Sequence, residues 1–462
     1  MFYGYTTNKN YNFKLPNNFK NSYKNNNICI YNYNLKITDL QNNNYILCYD
    51  GFISNKSKLI KILNDNNYFI KSNTDEEIIL LLYIIFKEKI LNYLEGVFSI
   101  VIYEELENKL FFAKDKSNIY SIFYTFHNSN IVFSNSVKSI IDIINIPPTI
   151  NKNGLLKLLT FNTINNDYRT IFKDILDINP KYYFLFKEGT FIKKIYKTNN
   201  AYNNNNINDL LNKKCCILSN TICNDNAITY SINYIKKYKN SSIIIKDNKN
   251  TINILLDNIY FFDITNDIIK NTAFPNILDY YKTFYTFLDL IKNDDYDLLI
   301  TDEIFNLYNN TFNNDFKISN FNFYNLCNKN IILKNDLKIY INKFNNKYFQ
   351  KYILNYMFKY ALILSANFNI STYNITNFNN PLLKYYKNYS KEYIILLENK
   401  LKEFITNKNN KIFKIFDINY IKSTLNFHGE NLESTFFSYQ ELLSYIIQID
   451  YLINNFNVNL DF

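Results

Sequence analysis

The stretch VFSIVIYEELENKLFFAKDKSNIYSIFYTFHNSNIVFSN, Val97–Asn135, decides how the first half of this chain folds. It contains three runs rich in β-branched and aromatic residues, Val97–Glu105, Lys109–Asp115 and Ile122–Asn135, the last interrupted at Asn128-Ser129-Asn130. Such runs read as strands, and the Asn-Ser-Asn interruption reads as a hairpin turn. A parallel pair needs a crossover of about a dozen residues or more, which the short gaps here do not provide. An antiparallel sheet is therefore expected.

Working outward, YILCYDGFI (Tyr45–Ile53) reads as a strand leading into a turn at Asp50-Gly51. TDEEIILLLYIIFKEKILNYL (Thr74–Leu94) reads as one helix, with Thr74 as N-cap and Glu77 completing a capping box. After Pro147-Pro148, NGLLKLLTF reads as a helix and YYFLFKEGTFIKKIY (Tyr182–Tyr196) as a hairpin turning at Glu188-Gly189. An asparagine-dense segment follows, KTNNAYNNNNIND, with the composition of a linker. Beyond it KKCCILS, SSIIIKD, IYFFDI and YDLLIT are short apolar runs separated by helical stretches such as NILDYYKTFYTFLDLIKN, the alternation of parallel βαβ units. The chain closes with YQELLSYIIQIDYLINNF, which reads as an amphipathic helix. These shifts divide it into residues 1–198, a linker at 199–210 and residues 211–462.

At 462 residues the chain has room for two or three domains, and 47% apolar residues suffice for a core in each. The net charge of +10 rests on lysine, because Arg169 is the only arginine, and the charges are interspersed with Asp and Glu. Nucleic-acid readers rely on arginine for bidentate contacts, so no nucleic-acid partner is expected. The six cysteines, Cys29, Cys48, Cys215, Cys216, Cys223 and Cys327, show no metal-ligand spacing and read as reduced, buried thiols. With only His127 and His428, a histidine metal site is not expected. The amino terminus lacks a signal-peptide core, and the apolar run Ile78–Phe86 is about half a membrane span, so a cytoplasmic, soluble protein without a membrane partner is expected.

In order, YDGFISN, TDEEIILLLY, LEGVFSIVIYE, LFFAKDKSNIYSIFYTF, IVFSNSVKSI and LLTFNTINNDYRTIFKDILDINPKYYFLF resemble the amino-terminal half of the glutamine-hydrolysing asparagine synthetases. The second half is similar to that family's synthetase domain more faintly. CCILSNTICNDNAI (Cys215–Ile228) stands at its pyrophosphate loop, NTAFPN at a D-E-P-F-A-D segment, LLITDEIFNLY at a G-A-D-E-L-F segment and NPLLKYY at a later V-P-F-L-D. The resemblance implies an α+β, α/β chain. The first domain would be an antiparallel αββα amino-terminal-nucleophile-like sandwich of the class II glutamine amidotransferase kind. The second would be a parallel-sheet ATP-pyrophosphatase domain with extra carboxyl-terminal helices. In the family the first releases ammonia from glutamine and the second adenylates aspartate with ATP and Mg²⁺.

The residues depart from both chemistries. The nucleophile, a cysteine directly after the initiator methionine, is replaced by Phe2. No arginine precedes Arg169 to clamp a substrate carboxylate. The oxyanion-hole Asn-Gly corresponds to Asp50-Gly51, with an acid that would repel a developing oxyanion, and the following Glu is Phe52. Asp75 keeps the place of a substrate-binding carboxylate, and equally suits the first turn of a helix, where the dipole favours an acid. In the second half the loop Ser219-Asn220-Thr221-Ile222-Cys223-Asn224-Asp225 has no glycine to bring backbone N–H groups onto phosphate. Ser219 is retained; the Mg²⁺-binding aspartate matches Asp225 only with a register shift, and Cys223 without one. Asp302 would be the second Mg²⁺ ligand, next to Glu303, while the catalytic glutamate before them is deleted. Asp225 as an N-cap and Asp302 as a turn residue explain the same positions. Three functions are consistent with the resemblance: ATP-dependent amide formation through an acyl-adenylate with a silent glutaminase half, a ring- or peptide-forming ligase such as the β-lactam synthetases and lasso-peptide cyclases, and a pseudoenzyme that binds a peptide or protein partner.

Overall fold

The computed structural model describes residues 2–7, 13, 22–32, 36–40, 43–116, 120–159, 168–196, 215–218, 258–275, 298–301, 391–407, 409–426 and 439–462. The linker and the Ser219–Asp225 loop, Asn276–Asn293, SSIIIKD, NPLLKYY, Asp302 and Glu303 lie outside them.

Two six-stranded sheets make up the first half. Sheet I contains β1 (Phe2–Thr6), β2 (Ser22–Lys24), β3 (Ile28–Asn32), β8 (Phe123–His127), β9 (Asn130–Ser134) and β11 (Leu176–Asp177), in the order β11-β8-β9-β1-β3-β2. Sheet II contains β4 (Lys36–Leu40), β5 (Asn43–Ile53), β6 (Gly96–Glu104), β7 (Lys109–Lys114), β12 (Tyr182–Lys187) and β13 (Thr190–Ile195), in the order β13-β12-β7-β6-β5-β4. Every pairing in both sheets is antiparallel, as expected. The β8–β9 turn is Asn128-Ser129, both at positive φ (48° and 63°), the conformation that matches strand twist in a two-residue hairpin. Glu188-Gly189 (φ 50° and 75°) does the same for β12–β13.

The near-continuous apolar sequence of β6 follows from burial on both faces. Val101 and Tyr103 point between the sheets, where they join Phe2, Ile30, Cys48, Phe112 and Phe133. Phe98, Ile100 and Ile102 point the other way, into a core shared with α1 (Lys56–Asp65) and α2 (Asp75–Phe86). With α3 (Val137–Ile144) against β8 and β9 of sheet I, the layers run helix, sheet, sheet, helix. This is the αββα class that the resemblance implied.

Five local readings need correction. The strand β5 does not turn at Asp50-Gly51 but runs through them to Ile53, held by a ladder that pairs Asp50 with Ser99 and Gly51 with Phe98. The helix begun at Thr74 ends at Phe86, where Lys87 takes φ 49° and a 3₁₀ turn, Lys87–Asn92, replaces it. Its cap is half of a box: Thr74 accepts from the Glu77 N–H (3.4 Å), while the Glu77 carboxylate reaches the N–H groups of Lys71 and Ser72 (2.9 and 2.6 Å). IYFFDI is not a strand but part of α5 (Asn258–Thr272), after β14 (Cys215–Leu218), β10 (Thr149–Asn151) and α4 (Lys152–Leu159) in the chain. Burial at Ile264, Thr265, Ile268, Ile269 and Thr272 has the spacing of one helix face, which outweighs the β-propensity of the aromatic run. Finally, the last helix is not amphipathic.

That helix, α8 (Tyr439–Asn455), follows β15 (Leu298–Thr301), α6 (Lys391–Thr406) and α7 (Ile418–Asn426), and is buried without interruption from Glu441 to Asp450. It packs on α5 and α6 and ties to the first half, Tyr445 donating its hydroxyl to the carbonyl of Leu158 in α4 (2.6 Å). The following strand β16 (Asn459–Asp461) pairs in parallel with β10. Asp450 is buried, its Oδ2 accepting from Asn454 Nδ2 (2.9 Å) and its Oδ1 with no partner among the described residues. Burial pushes its carboxyl above the ordinary range, against the opposing influence of Asn410, Asn454 and Lys400. A raised folded-state value means that ionisation costs stability, a cost absent below the unfolded value and complete once pH exceeds the folded one. Asp450→Asn is therefore expected to add about 1 kcal/mol at pH 7 by urea denaturation, with the gain vanishing toward pH 4.

Candidate functional site

Strand β1 of sheet I and strand β5 of sheet II bring together the residues singled out near the amino terminus. Phe2 opens β1, the fourth strand of sheet I, and is fully buried. Its N–H donates to Oδ1 of Asn135 (3.2 Å), just past β9, and its carbonyl accepts from Ser134 Oγ (2.7 Å). Asn135 Nδ2 in turn donates to Asp50 Oδ2 in β5, so one amide bridges the two sheets. Burial raises the Asp50 carboxyl above the ordinary carboxylate range, partly offset by that hydrogen bond. Asn135 is a residue the sequence reading missed; its partner lies 85 residues away.

Gly51 has a structural role in this arrangement. At φ +140° a Cβ would fall 2.3 Å from the Val97 carbonyl oxygen and 2.6 Å from Phe98 Cα. Gly96, across the ladder, approaches the Phe52 carbonyl in the same way, its Cβ position 2.1 Å away. Both glycines let the backbones of β5 and β6 close together beside Asp50. Gly51→Ala is expected to cost about 3 kcal/mol or more, read as a lowered denaturant midpoint in the purified protein.

Asp75 belongs to the same strand end. It is the first residue of α2, and its Oδ2 accepts from the Tyr49 hydroxyl (3.1 Å) and the Ile53 N–H (3.2 Å). Its Oδ1 pairs with Lys56 Nζ (3.1 Å), at the start of α1. A lysine in a helix's first turn opposes the dipole, so the Asp75 carboxylate is what makes the position favourable. Burial and the neighbouring Asp75 carboxylate push the Tyr49 hydroxyl well above its ordinary value, which keeps it a donor. The carboxylate thus serves as a fastener between β5, α1 and α2, with both oxygens engaged.

A buried charge pair lies beside this region. Lys114, at the end of β7, meets Asp177 of β11 at 2.7 Å, with the lysine side chain fully buried. The Tyr196 hydroxyl donates to the Lys114 carbonyl, and the Tyr168 ring lies 6.0 Å from the ammonium.

Residues 29–197 match the glutamine amidotransferase domain family. They are a glutamine amidotransferase domain of the asparagine synthetase type. Asparagine synthetase [glutamine-hydrolyzing] 3 of Bacillus subtilis (strain 168) is 26% identical over 166 residues, which are 36% of this chain and 27% of that protein. Asparagine synthetase [glutamine-hydrolyzing] 1 of the same organism is 28% identical over 96 residues, 21% of this chain and 15% of that protein. The matched segments therefore span about a quarter of these relatives or less. Among solved structures, the glutamine phosphoribosylpyrophosphate amidotransferase from B. subtilis complexed with ADP and GMP is 12% identical, with a TM-score of 0.29 over 50% of this chain and 55% of that one. A structure described as the allosteric regulatory enzyme of purine biosynthesis is 11% identical, with the same coverage and TM-score. The αββα assignment rests on the sheets and helices themselves.

In the second half, β14 and β15 form a parallel pair in which Leu218 lies opposite Thr301. Their carboxyl ends are side by side, the place where open parallel sheets bind ligands. Among the described residues no group of three or more His, Cys, Asp or Glu could hold a metal ion, and no helix is long and apolar enough to cross a membrane.

Proposed function

We propose that this chain is an asparagine-synthetase-like protein whose glutamine amidotransferase domain does not hydrolyse glutamine. The observation that carries the reading is Phe2. A phenyl group, fully buried between the sheets, fills the place where the family needs a thiol with a free α-amine beside it. The surroundings support the same reading. Asp50 offers a carboxyl where an oxyanion would form, and Asp75 has both oxygens engaged by the protein, one of them by the Lys56 ammonium.

The reaction proposed for the second half is ATP-dependent amide formation through an acyl-adenylate, with ammonia or another amine supplied from outside. The adjacent carboxyl ends of β14 and β15 support it, since Ser219 and Asp302 are the next residues in the sequence after each strand. Asp225 and Asp302 would hold the Mg²⁺ and Ser219, Asn220 and Thr221 would face the ATP phosphates, with Glu303 beside the metal; bound Mg²⁺–ATP would supply the activated phosphoanhydride. A second reading, a partner-binding pseudoenzyme, is favoured by the glycine-free loop at Ser219–Asp225. Supplying ATP, Mg²⁺ and aspartate with either ammonium or glutamine tests both. Pyrophosphate release with ammonium alone supports the ligase; release with neither donor supports the scaffold; release driven by glutamine contradicts the proposal.

A further inference from the structure

Where α2 gives way to the 3₁₀ turn, Lys87 sends its side chain into a cage built from three elements. Tyr45 and Glu104 stand directly opposite each other in the β5–β6 ladder, and Tyr83 comes from the last turn of α2. The Lys87 ammonium donates to Glu104 Oε1 (2.6 Å) and to the Tyr45 hydroxyl (3.0 Å). It lies 4.7 Å from the centre of the Tyr45 ring and 5.6 Å from that of Tyr83, and the two rings meet edge to face. Aromatic faces and a carboxylate gathered around an ammonium are the parts of a cation-binding site. The floor is closed and the mouth is open: Glu104 keeps 4% of its side-chain surface and Lys87 37%.

The cage has features that an ordinary ion pair does not need. The Tyr83 hydroxyl is fully buried and has no hydrogen-bond partner among the described residues. Burial and the Glu104 carboxylate push it well above its ordinary value, so it is a donor without an acceptor. Glu104 Oε2 makes no hydrogen bond either, although Lys109 Nζ lies 3.2 Å away. Lys87 itself sits at φ 49° and ψ −135°, a backbone conformation rarely adopted by any residue but glycine. Glu88 pairs with Lys109 (3.5 Å), so two glutamates face two lysines here. With Lys87 withdrawn, the cage would carry one uncompensated negative charge.

We propose that Tyr45, Tyr83 and Glu104 form a binding site for a small primary amine in its ammonium form, which Lys87 of the same chain occupies and closes. Glu104 and Tyr45 both accept N–H hydrogen bonds from the Lys87 ammonium, so the site takes a primary ammonium in preference to a quaternary one. Lys87 is a tethered occupant, and leaving the cage lets its backbone relax at the junction of α2 and the 3₁₀ turn. A free amine must find the cage vacated, so its apparent affinity is reduced by the fraction of molecules in which Lys87 has withdrawn. Asp50 lies farther along the same β5–β6 ladder, and the inference is independent of whether either half is catalytically active.

The test uses the full chain and n-butylammonium, which reproduces the four-carbon stem of lysine, followed by calorimetry. Lys87→Gly empties the cage with a residue suited to the positive φ, and saturable one-to-one binding is expected. The unaltered protein should bind at the same site about tenfold or more weakly. Adding Glu104→Gln to Lys87→Gly should weaken binding about tenfold or more, and tetramethylammonium should bind Lys87→Gly more weakly than n-butylammonium does. No binding by Lys87→Gly, equal binding after Glu104→Gln, or equal binding of tetramethylammonium would overturn the proposal. So would the absence of binding by the unaltered protein at about a hundred times the variant's dissociation constant, since Lys87 would then be a permanent part of the core. Should Lys87→Gly not fold, the ¹⁵Nζ resonance of Lys87 in the unaltered protein decides the matter. Saturable movement toward the position of a free lysine on adding n-butylammonium supports the site, and an unmoved resonance overturns it.

Discussion

Phe2→Cys, with the α-amine of residue 2 freed, is expected to release no more glutamate from glutamine than buffer does. Restoring a thiol supplies only one of the parts. A glutaminase must also hold the substrate's α-carboxylate, and no arginine precedes Arg169. It must stabilise an oxyanion in a pocket where electrostatic donors carry about 3–4 kcal/mol each, and the proposed function puts Asp50 at that position, with a carboxylate oxygen that accepts from Asn135. It must leave Asp75 available, and Lys56, Tyr49 and Ile53 already occupy that carboxylate. The substitution should also cost about 2–4 kcal/mol, because a fully buried phenyl ring between the sheets is replaced by a smaller side chain. Glutamate release by coupled assay and the denaturant midpoint check the two parts separately.

The largest effect on stability is expected at the buried ion pair. Lys114→Met leaves Asp177 as a buried carboxylate without its 2.7 Å partner. Breaking such a pair on one side costs about 3–5 kcal/mol, because a buried carboxylate loses its ammonium. In a domain of this size the thermal midpoint should fall on the order of 10 °C. Lys114→Met/Asp177→Leu should recover most of the loss, since an apolar pair of similar volume replaces both desolvated charges. Equal destabilisation in the single and double variants would mean that packing, not charge, is at stake.

The parts of this fold that could be read from the sequence were those specified locally. Asn128-Ser129 and Glu188-Gly189 announce their hairpins because two-residue turns need positive φ at both positions. The capping threonine at the start of α2 was legible for the same reason, its partner lying three residues on. What escaped was decided by distant chain. Asp50-Gly51 has the composition of a turn, yet Gly96, 45 residues later in numbering, offers a matching close approach and draws β5 straight through. IYFFDI has strand-like residues, but α5 buries one face against α3 and α8, and tertiary packing overrides propensity. The last helix is polar enough to suggest a solvent face, yet α5 and α6 enclose it and the tie to Leu158 draws it onto the first half. At the site, Phe2, Asp50 and Asp75 enter through the family resemblance, and the structure shows their contacts, whereas Asn135, Lys56 and the Lys114–Asp177 pair became visible only as contacts.

Glutamate release by the unmodified protein, measured with saturating glutamine in the presence and absence of ATP, Mg²⁺ and aspartate, tests the central claim most directly. The expected result is a rate indistinguishable from buffer under every condition. A rate that saturates with glutamine and scales with protein concentration would contradict it, and would mean that a nucleophile other than residue 2 serves this domain.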